Sequence, residues 1–489
     1  MGGRLVLPSV GESLLGEEAA MSEFDHGSGL AVVILAAGKG KRMNSYEPKV
    51  LHPILGEPMI SYVVDLVDFV PRRRKVVVTG YKAERVKEFL ADRVELFAYQ
   101  REQLGTAHAV LCAKPQLHSH KGSVLILNGD LPLLRRETLD AFVEAHRASR
   151  SVMTLMTTHM PEPAGYGRIV RDADGGIAAV VEDADATDPQ KGIDEVNAGV
   201  YCVEASFLWD ALALLNPNNR QHEYYLPDLI GIALAEGLEV NTFTVPESTE
   251  VLGVNTRAEL AAAQRALCDR VNRRHMDNGV TILDPATTYI SPRVTIDIDT
   301  VVHPCTHIYG RTSIGWGCSL GPSAWIKDAV IAHDVVIGFC THVEGAEILD
   351  GAAVGPFARL RPGTRVGSHA RVGNFVEIKN SRIGRSTKVS HLSYVGDATV
   401  GDNVNVGAGT VTCNYDGFSK HRTVIEDDVF LGSDTMLVAP VRVGKGATTA
   451  AGSTITEDVP PGSLALGRAR QVVKENWKRR PKGSKTGGE

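Results

Sequence analysis

The sequence predicts an α/β chain in two parts: a doubly wound domain with a mostly parallel sheet, then a parallel β-helix of hexapeptide repeats. Three observations predict it. Strand-like apolar runs alternate with helical stretches up to about residue 255; one amphipathic stretch follows; and from Ile290 aliphatic residues recur every six positions.

In the front half, Ala31–Leu35, Lys75–Val78, Val124–Leu127 and Met153–Met156 read as buried strands separated by helical segments. That alternation is the pattern of a doubly wound fold. Arg257 to Met276 places Leu260, Ala263, Leu267 and Val271 on one face and reads as a connecting helix. The repeats begin near Val280. Ile290, Ile296, Val302, Ile308, Ile314, Leu320 and Ile326 keep a period of six. The period resumes at Ile331, at Ile348, at Ile383, at Val400 and finally at Ile425. Neither a helix nor an alternating strand has that period, whereas a prism of short strands and turns does. The Gly that often follows the aliphatic residue is expected to let the backbone bend at a corner. Three hexads close one coil, and stacked coils bury a continuous aliphatic column.

At 489 residues the chain is long enough for two or three domains with sizeable cores. A net charge of −6 argues against a nucleic-acid partner, and no apolar run has the length of a membrane span. Seven Cys without a C-x-x-C pair point to reduced thiols in a cytoplasmic protein. His303, Cys305 and His307 alternate as metal ligands could, but in a repeat they read as corner residues. Residues 1–29 lack a basic n-region and read as a disordered tail, with Met21 a candidate start. The end from Lys474 is basic and is expected to be mobile.

Two turns carry chemistry. Leu35–Met43 is Gly-rich and directly follows the first strand, yet it is neither a Walker loop nor a dinucleotide fingerprint. With Arg42 and Lys49 close behind, its backbone N–H groups suit an anion. The second turn, Leu127–Pro132, puts Asp130 at the carboxyl end of a strand, where α/β folds bind ligands. Asp130 either contributes to a Mg²⁺ site or caps the strand in an Asx-turn.

These turns, together with Gln103–Thr106, Gly165–Ile169, Val181-Glu182, Asn197–Gly199 and Gly253–Asn255, resemble a sugar-phosphate nucleotidyltransferase. With the hexad prism behind them, residues 31–478 resemble the bacterial bifunctional N-acetylglucosamine-1-phosphate uridylyltransferase / glucosamine-1-phosphate N-acetyltransferase family. The resemblance implies a left-handed prism, Mg²⁺ at Asp130 and Asn255, and UTP and acetyl-CoA as co-substrates. It implies UTP and sugar-nucleotide contacts at Leu35, Ala36, Ala37, Gly38, Lys49, Gln100, Gly105, Thr106, Gly167, Glu182, Asn197 and Asn255, with Lys49 and Arg42 assisting uridylyl transfer. Ala184 departs from a position that is basic in some relatives.

In the prism, the breaks in rhythm after Val372 and Val406 mark where a second site is expected. Thr412–Gly417 is turn-rich and is expected to project as a loop. Acetylating an amine needs a base, and an imidazole titrates in the right range. The resemblance assigns that role to His391, with Glu377 orienting the amine. It assigns Arg361, Lys379, Tyr394 and Asn405 to glucosamine 1-phosphate, and Asn414, Tyr415, Ser433, Ala451 and Arg468 to acetyl-CoA. Cys413 beside them reads as a packed small residue. The organisation expected is a tail 1–29, a uridylyltransferase domain 30–256, a linker helix 257–279, an acetyltransferase prism 280–473 and a basic tail 474–489. A homotrimer with acetyl-transfer sites between subunits, and no nucleic-acid or membrane partner, completes the expectation. The alternative is a single-function nucleotidyltransferase whose prism only oligomerises, as in ADP-glucose pyrophosphorylases.

Overall fold

The computed structural model describes residues 29–478. The expectations for the leader, for Met21 and for the last residues of the basic tail fall outside the described residues. The chain divides into two compact units, the division falling after Leu267 and so inside the helix Arg257–Asp277. No helix among the described residues is long and apolar enough to cross a membrane.

The front unit is built on one sheet whose main path runs Val240–Val245, Met153–His159, Glu195–Glu204, Ser123–Asn128, Leu30–Ala36, Lys75–Thr79 and Leu96–Tyr99. All neighbours on this path pair in parallel except Glu195–Glu204, which runs antiparallel to both of its own. The four strands expected from the sequence all lie in it. Each face is covered, and the first strand shows how. Leu30, Val32 and Ile34 join one core, while Ala31 and Val33 join the other. A strand buried on both faces reads as a continuous apolar run for this reason. Chain order reverses beside this strand: it leads outward to Lys75–Thr79, then returns to Ser123–Asn128 on the opposite side. The carboxyl ends at such a switch point open a crevice, and both turns singled out above stand there.

The back unit is a prism of three parallel sheets of eleven, ten and nine strands. Inward residues stack in register, for example Ile290 on Ile308 and Ile308 on Ile326. Each of these is fully buried. At the base, Asn272 of the helix donates to the carbonyls of Pro285 and Thr288, tying the helix end to the first coil. Cys305 stands at a left-handed corner, and His307 stacks on Tyr289 with ring centroids 4.9 Å apart. Among the described residues no group of three or more His, Cys, Asp or Glu could hold a metal ion by itself.

Two expectations are corrected. At Gly321 and Gly367, glycine after the aliphatic residue is required by a close approach rather than by backbone freedom at the bend. Gly321 and Gly367 have ordinary φ, but a Cβ on Gly321 would lie 2.8 Å from the carbonyl oxygen of Ile337, and one on Gly367 would lie 2.7 Å from the backbone of Gly384. The next coil passes too closely for any side chain. The left-handed corners are taken instead by residues such as Asp299, Cys305, Ser323 and Asp334. The rhythm also continues further than the aliphatic beat suggested. Ile378 and Thr412 fill the next inward positions after Val372 and Val406, and both are buried. The breaks therefore follow Ile378 and Thr412. The lengthened coil is plain in the register: Ile383 pairs with Val400, and Val400 pairs with Ile425 across the projecting loop.

The close approach at Gly321 yields a stability prediction. Gly321→Ala should destabilise the prism by about 1–3 kcal/mol, since backbone rather than a movable side chain must give way. Urea unfolding followed by the fluorescence of Trp316 and Trp325 measures it, and an unchanged midpoint would refute the steric reading.

Candidate active sites

The front crevice encloses about 530 Å³. Its lining includes every front-half residue singled out from the sequence: Leu35, Ala36, Ala37, Gly38, Arg42, Lys49, Gln100, Gly105, Thr106, Asp130, Gly167, Glu182, Asn197 and Asn255. The Lys49 ammonium lies between the Asp130 carboxylate, which it contacts directly, and the Asn255 amide oxygen at 3.0 Å. A positive charge thus already sits between two hard oxygens. The backbone N–H of Val254 donates to the Asp130 carbonyl at 3.1 Å, so Asn255 is held against that turn. The donors Glu259 needs to cap the following helix are the N–H groups of Asn255 and Thr256. Arg257 then reaches back to the carbonyl of Met43 and the ring of His52, each at 3.2 Å.

The side of the crevice around Asn197 is built differently. A bulge between Asn197 and Tyr201 breaks the ladder with the neighbouring strand, and bulges re-aim side chains. Asn197 donates to the Tyr201 hydroxyl at 2.6 Å and accepts from the Gly199 N–H. Tyr166, inside the Gly165–Ile169 motif, and Tyr201, which no motif marks, also line the crevice. Glu182 is pushed up to about 7 by burial, reinforced by Asp228, Asp185, Asp183 and Glu223.

In the prism the site residues fall into two groups on either side of one corner. On one sheet His391 sits in register above Asn374, and its Nδ1 lies 2.7 Å from the Asn374 amide oxygen. On the next sheet Arg361 donates to Glu377 at 3.0 Å, and Glu377 lies in register with Tyr394. Lys379 stands 3.8 Å from Asp397. Asp397 also accepts from Asn380 at 2.6 Å and from Asn414 at 2.5 Å. Burial works to raise the Asp397 pKa, but the two amide donors and the Lys379 ammonium outweigh it and hold the carboxyl below its usual range. Asn405 belongs to the strand above Lys388–His391. Ser433 and Ala451 are exposed on higher coils, with the Ser433 carbonyl accepting from Gly452, and Arg468 lies beyond the last strand. Tyr415 and Phe418 project on the loop, 62% and 95% exposed. Cys413 is half-buried.

Several residues here were not singled out from the sequence: Asn374, Asp397, Lys420 and, in the front unit, Arg257. Lys420 comes from the loop, and the Lys379 ammonium beside it pushes its pKa down.

The Glu182 environment predicts a pH dependence. Between the unfolded value of 4.5 and about 7 the folded state holds an extra proton, so stability is lost as pH rises through that window. Glu182→Gln removes this loss and should gain roughly 2–3 kcal/mol on the parent between pH 5 and pH 8. Urea titrations at the two pH values test it, and parallel behaviour of the two proteins would remove the cause assigned here.

Residues 32–188 match the family model for a MobA-like NTP transferase domain, and residues 422–457 match the hexapeptide repeat of succinyl-transferase. The chain is 49% identical to the bifunctional protein GlmU of Geotalea uraniireducens over 93% of its length and 99% of that protein. Against the protein of the same name from Geobacter sulfurreducens it is 47% identical, covering 92% and 98% respectively. The one from a Geobacillus strain is 48% identical, covering 91% and 96%. A prism of this class winds left-handed. Because the likeness runs through both halves and does not stop at either, the chain belongs to the bifunctional GlmU family and is a bifunctional transferase, a uridylyltransferase joined to an acetyltransferase.

Proposed function

We propose that the front crevice transfers UMP from UTP to N-acetylglucosamine 1-phosphate, and that the prism acetylates glucosamine 1-phosphate with acetyl-CoA. The observation that most supports the first assignment is the Lys49–Asp130–Asn255 contact. Asp130 and Asn255 offer a carboxylate and an amide oxygen, and Mg²⁺ needs only one or two such protein ligands when phosphates supply the rest. When bound, the ion would offset triphosphate charge and orient the α-phosphate. The protein's share is positioning. A phosphate oxygen of the sugar attacks the α-phosphorus, the bond to the bridging oxygen breaks, and pyrophosphate leaves. Lys49 and Arg42 offset the charge that accumulates, and the Gly38 turn supplies N–H donors to the phosphates. Gly167, Glu182 and Asn197 hold the sugar; Gln100, Gly105 and Thr106 hold the nucleotide.

The Asn374–His391 bond supports the second assignment. An amide oxygen can only accept, so in the neutral imidazole the ring proton sits on Nδ1 and Nε2 keeps its lone pair. Nε2 takes a proton from the amine as nitrogen attacks the thioester carbonyl, and the thiolate of CoA leaves. Arg361, Lys379, Tyr394 and Asn405 hold the sugar phosphate, with Glu377 braced by Arg361. Asn414, Tyr415, Ser433, Ala451 and Arg468 receive acetyl-CoA.

A homotrimer suits this arrangement. The outer face that bears Arg361, Glu377 and Lys379 also bears the ring ladder Tyr289, His307 and Trp325, an unusual load for a solvated sheet. UTP and acetyl-CoA as co-substrates, with seven Cys outside any disulfide, support a cytoplasmic location. A prism that only oligomerises would have no use for the oriented imidazole.

Two variants separate the activities. Asp130→Ala should lower pyrophosphate release from UTP at least a thousandfold and leave CoA release intact; retained uridylyl transfer would sink the assignment. His391→Ala should do the reverse, and Asn374→Ala should cut acetyl-transfer kcat about tenfold with KM little changed. Parent rates in both prism variants would show that another group is the base.

A further inference from the structure

Asp397 is a carboxylate in the prism site that no role above requires, and it is among the most constrained. Only 8% of it is exposed, and it stands at a left-handed corner with φ of 50°. One oxygen accepts from the amide of Asn380, one coil below; the other accepts from the amide of Asn414, one coil above. The second oxygen also faces the Lys379 ammonium at 3.8 Å. Asn414 is itself only 8% exposed and begins the projecting loop, whose return strand is fastened to it where the His421 N–H donates to the Asn414 carbonyl at 2.9 Å. The loop brings Lys420 beside Lys379, so two ammonium groups share a neighbourhood with a single buried counter-charge.

We propose that Asp397 is a positioning residue for acetyl transfer, one carboxylate that orients the Asn414 amide and fixes the Lys379 ammonium in the same geometry. The proposal rests on the reading of the prism as the acetyl-transfer site. With its NH₂ end held by Asp397, the amide of Asn414 keeps its oxygen for a donor such as the amine of glucosamine 1-phosphate. The paired Lys379 and Lys420, undercompensated by one carboxylate, favour an anion between them, which the sugar phosphate supplies. Asparagine cannot replace Asp397. Two amide donors need two acceptor oxygens, and an Asn side chain has one. Its own NH₂ would face another NH₂, and the remaining donor would lie buried and unpaired.

The test uses the full chain with Asp397→Asn and, as a second variant, Asp397→Ser, which leaves space for water. Steady-state acetyl transfer is measured against glucosamine 1-phosphate and acetyl-CoA separately, alongside uridylyl transfer and the melting temperature. The expected result for Asp397→Asn is a 10–100-fold fall in acetyl-transfer kcat, a several-fold rise in KM for glucosamine 1-phosphate, and parent uridylyl transfer. Asp397→Ser should move both constants in the same direction. Parent kcat and KM in both variants, with or without a lowered melting temperature, would make Asp397 a structural corner only and overturn the proposal. His391→Ala is run in parallel. If it keeps acetyl transfer, the site reading itself fails; if it loses acetyl transfer while both Asp397 variants keep parent constants, only the present inference fails.

Discussion

The back unit is governed by one distance. Parallel strands stack about 4.8 Å apart, and each coil must pass over the one below at that spacing. Where backbone meets backbone at an edge, no Cβ fits, and glycine follows the inward aliphatic residue at Gly321 and Gly367. Inside, aliphatic side chains must fill a closed column, so Ile290, Ile308 and Ile326 lie directly over one another. Outside, residues one coil apart are forced into contact. His391 with Asn374, Asp397 with Asn380 and Asn414 with Asp397 are each seventeen residues apart in sequence and hydrogen-bonded in space. The same spacing that builds the core therefore builds the polar pairs.

The front unit meets a different constraint, the concentration of charge at strand ends. Its turns converge where chain order reverses, bringing Lys49, Asp130 and Asn255 together from distant segments. Carboxylates are separated by environment. Asp130 has an ammonium against it, whereas burial raises the Glu182 pKa to about 7, reinforced by Asp228, Asp185 and Asp183. One crevice thus holds a carboxylate paired with an ammonium and a second one that burial pushes toward protonation.

The sequence made the fold legible because both units are patterned. Continuous apolar runs in the front unit and the period of six in the back unit each reflect burial that only certain residues can supply, and the strands and coils appear where those patterns place them. Legibility fell off where burial ceased to demand an aliphatic residue. Thr412 fills an inward position with a hydroxyl that donates to the Gly396 carbonyl at 3.1 Å, so no aliphatic marks it. Ile378 keeps the period six residues after Val372, so the break falls one hexad later than expected. In the front unit the candidate site residues line one crevice, and the two turns that follow strands, at Gly38 and at Asp130, stand where sequence can identify a site. Asn374, Asp397 and Lys420 have no such marker. Asn and Asp are ordinary corner residues in this prism, and only the register of one coil on the next distinguishes these from Asn403 or Asp334.

A filled prism has no interior to offer a substrate. Its column is packed with Val, Ile and Leu at essentially zero exposure, so any chemistry must occupy the outer faces and corners. Those surfaces are flat or convex, and a flat surface cannot exclude water from a thioester or surround a sugar phosphate. Two features bear on how the deficit is met: a loop with Phe418 almost wholly exposed, and a sheet face carrying aromatic rings beside the polar residues. Both are costly on a solitary chain and useful against a second one. A symmetric assembly makes a cleft from two convex bodies, each lending the wall the other lacks. The prism thus supplies the precision of a rigid ladder for the reacting groups, and the enclosure it lacks is what the proposed trimer would add.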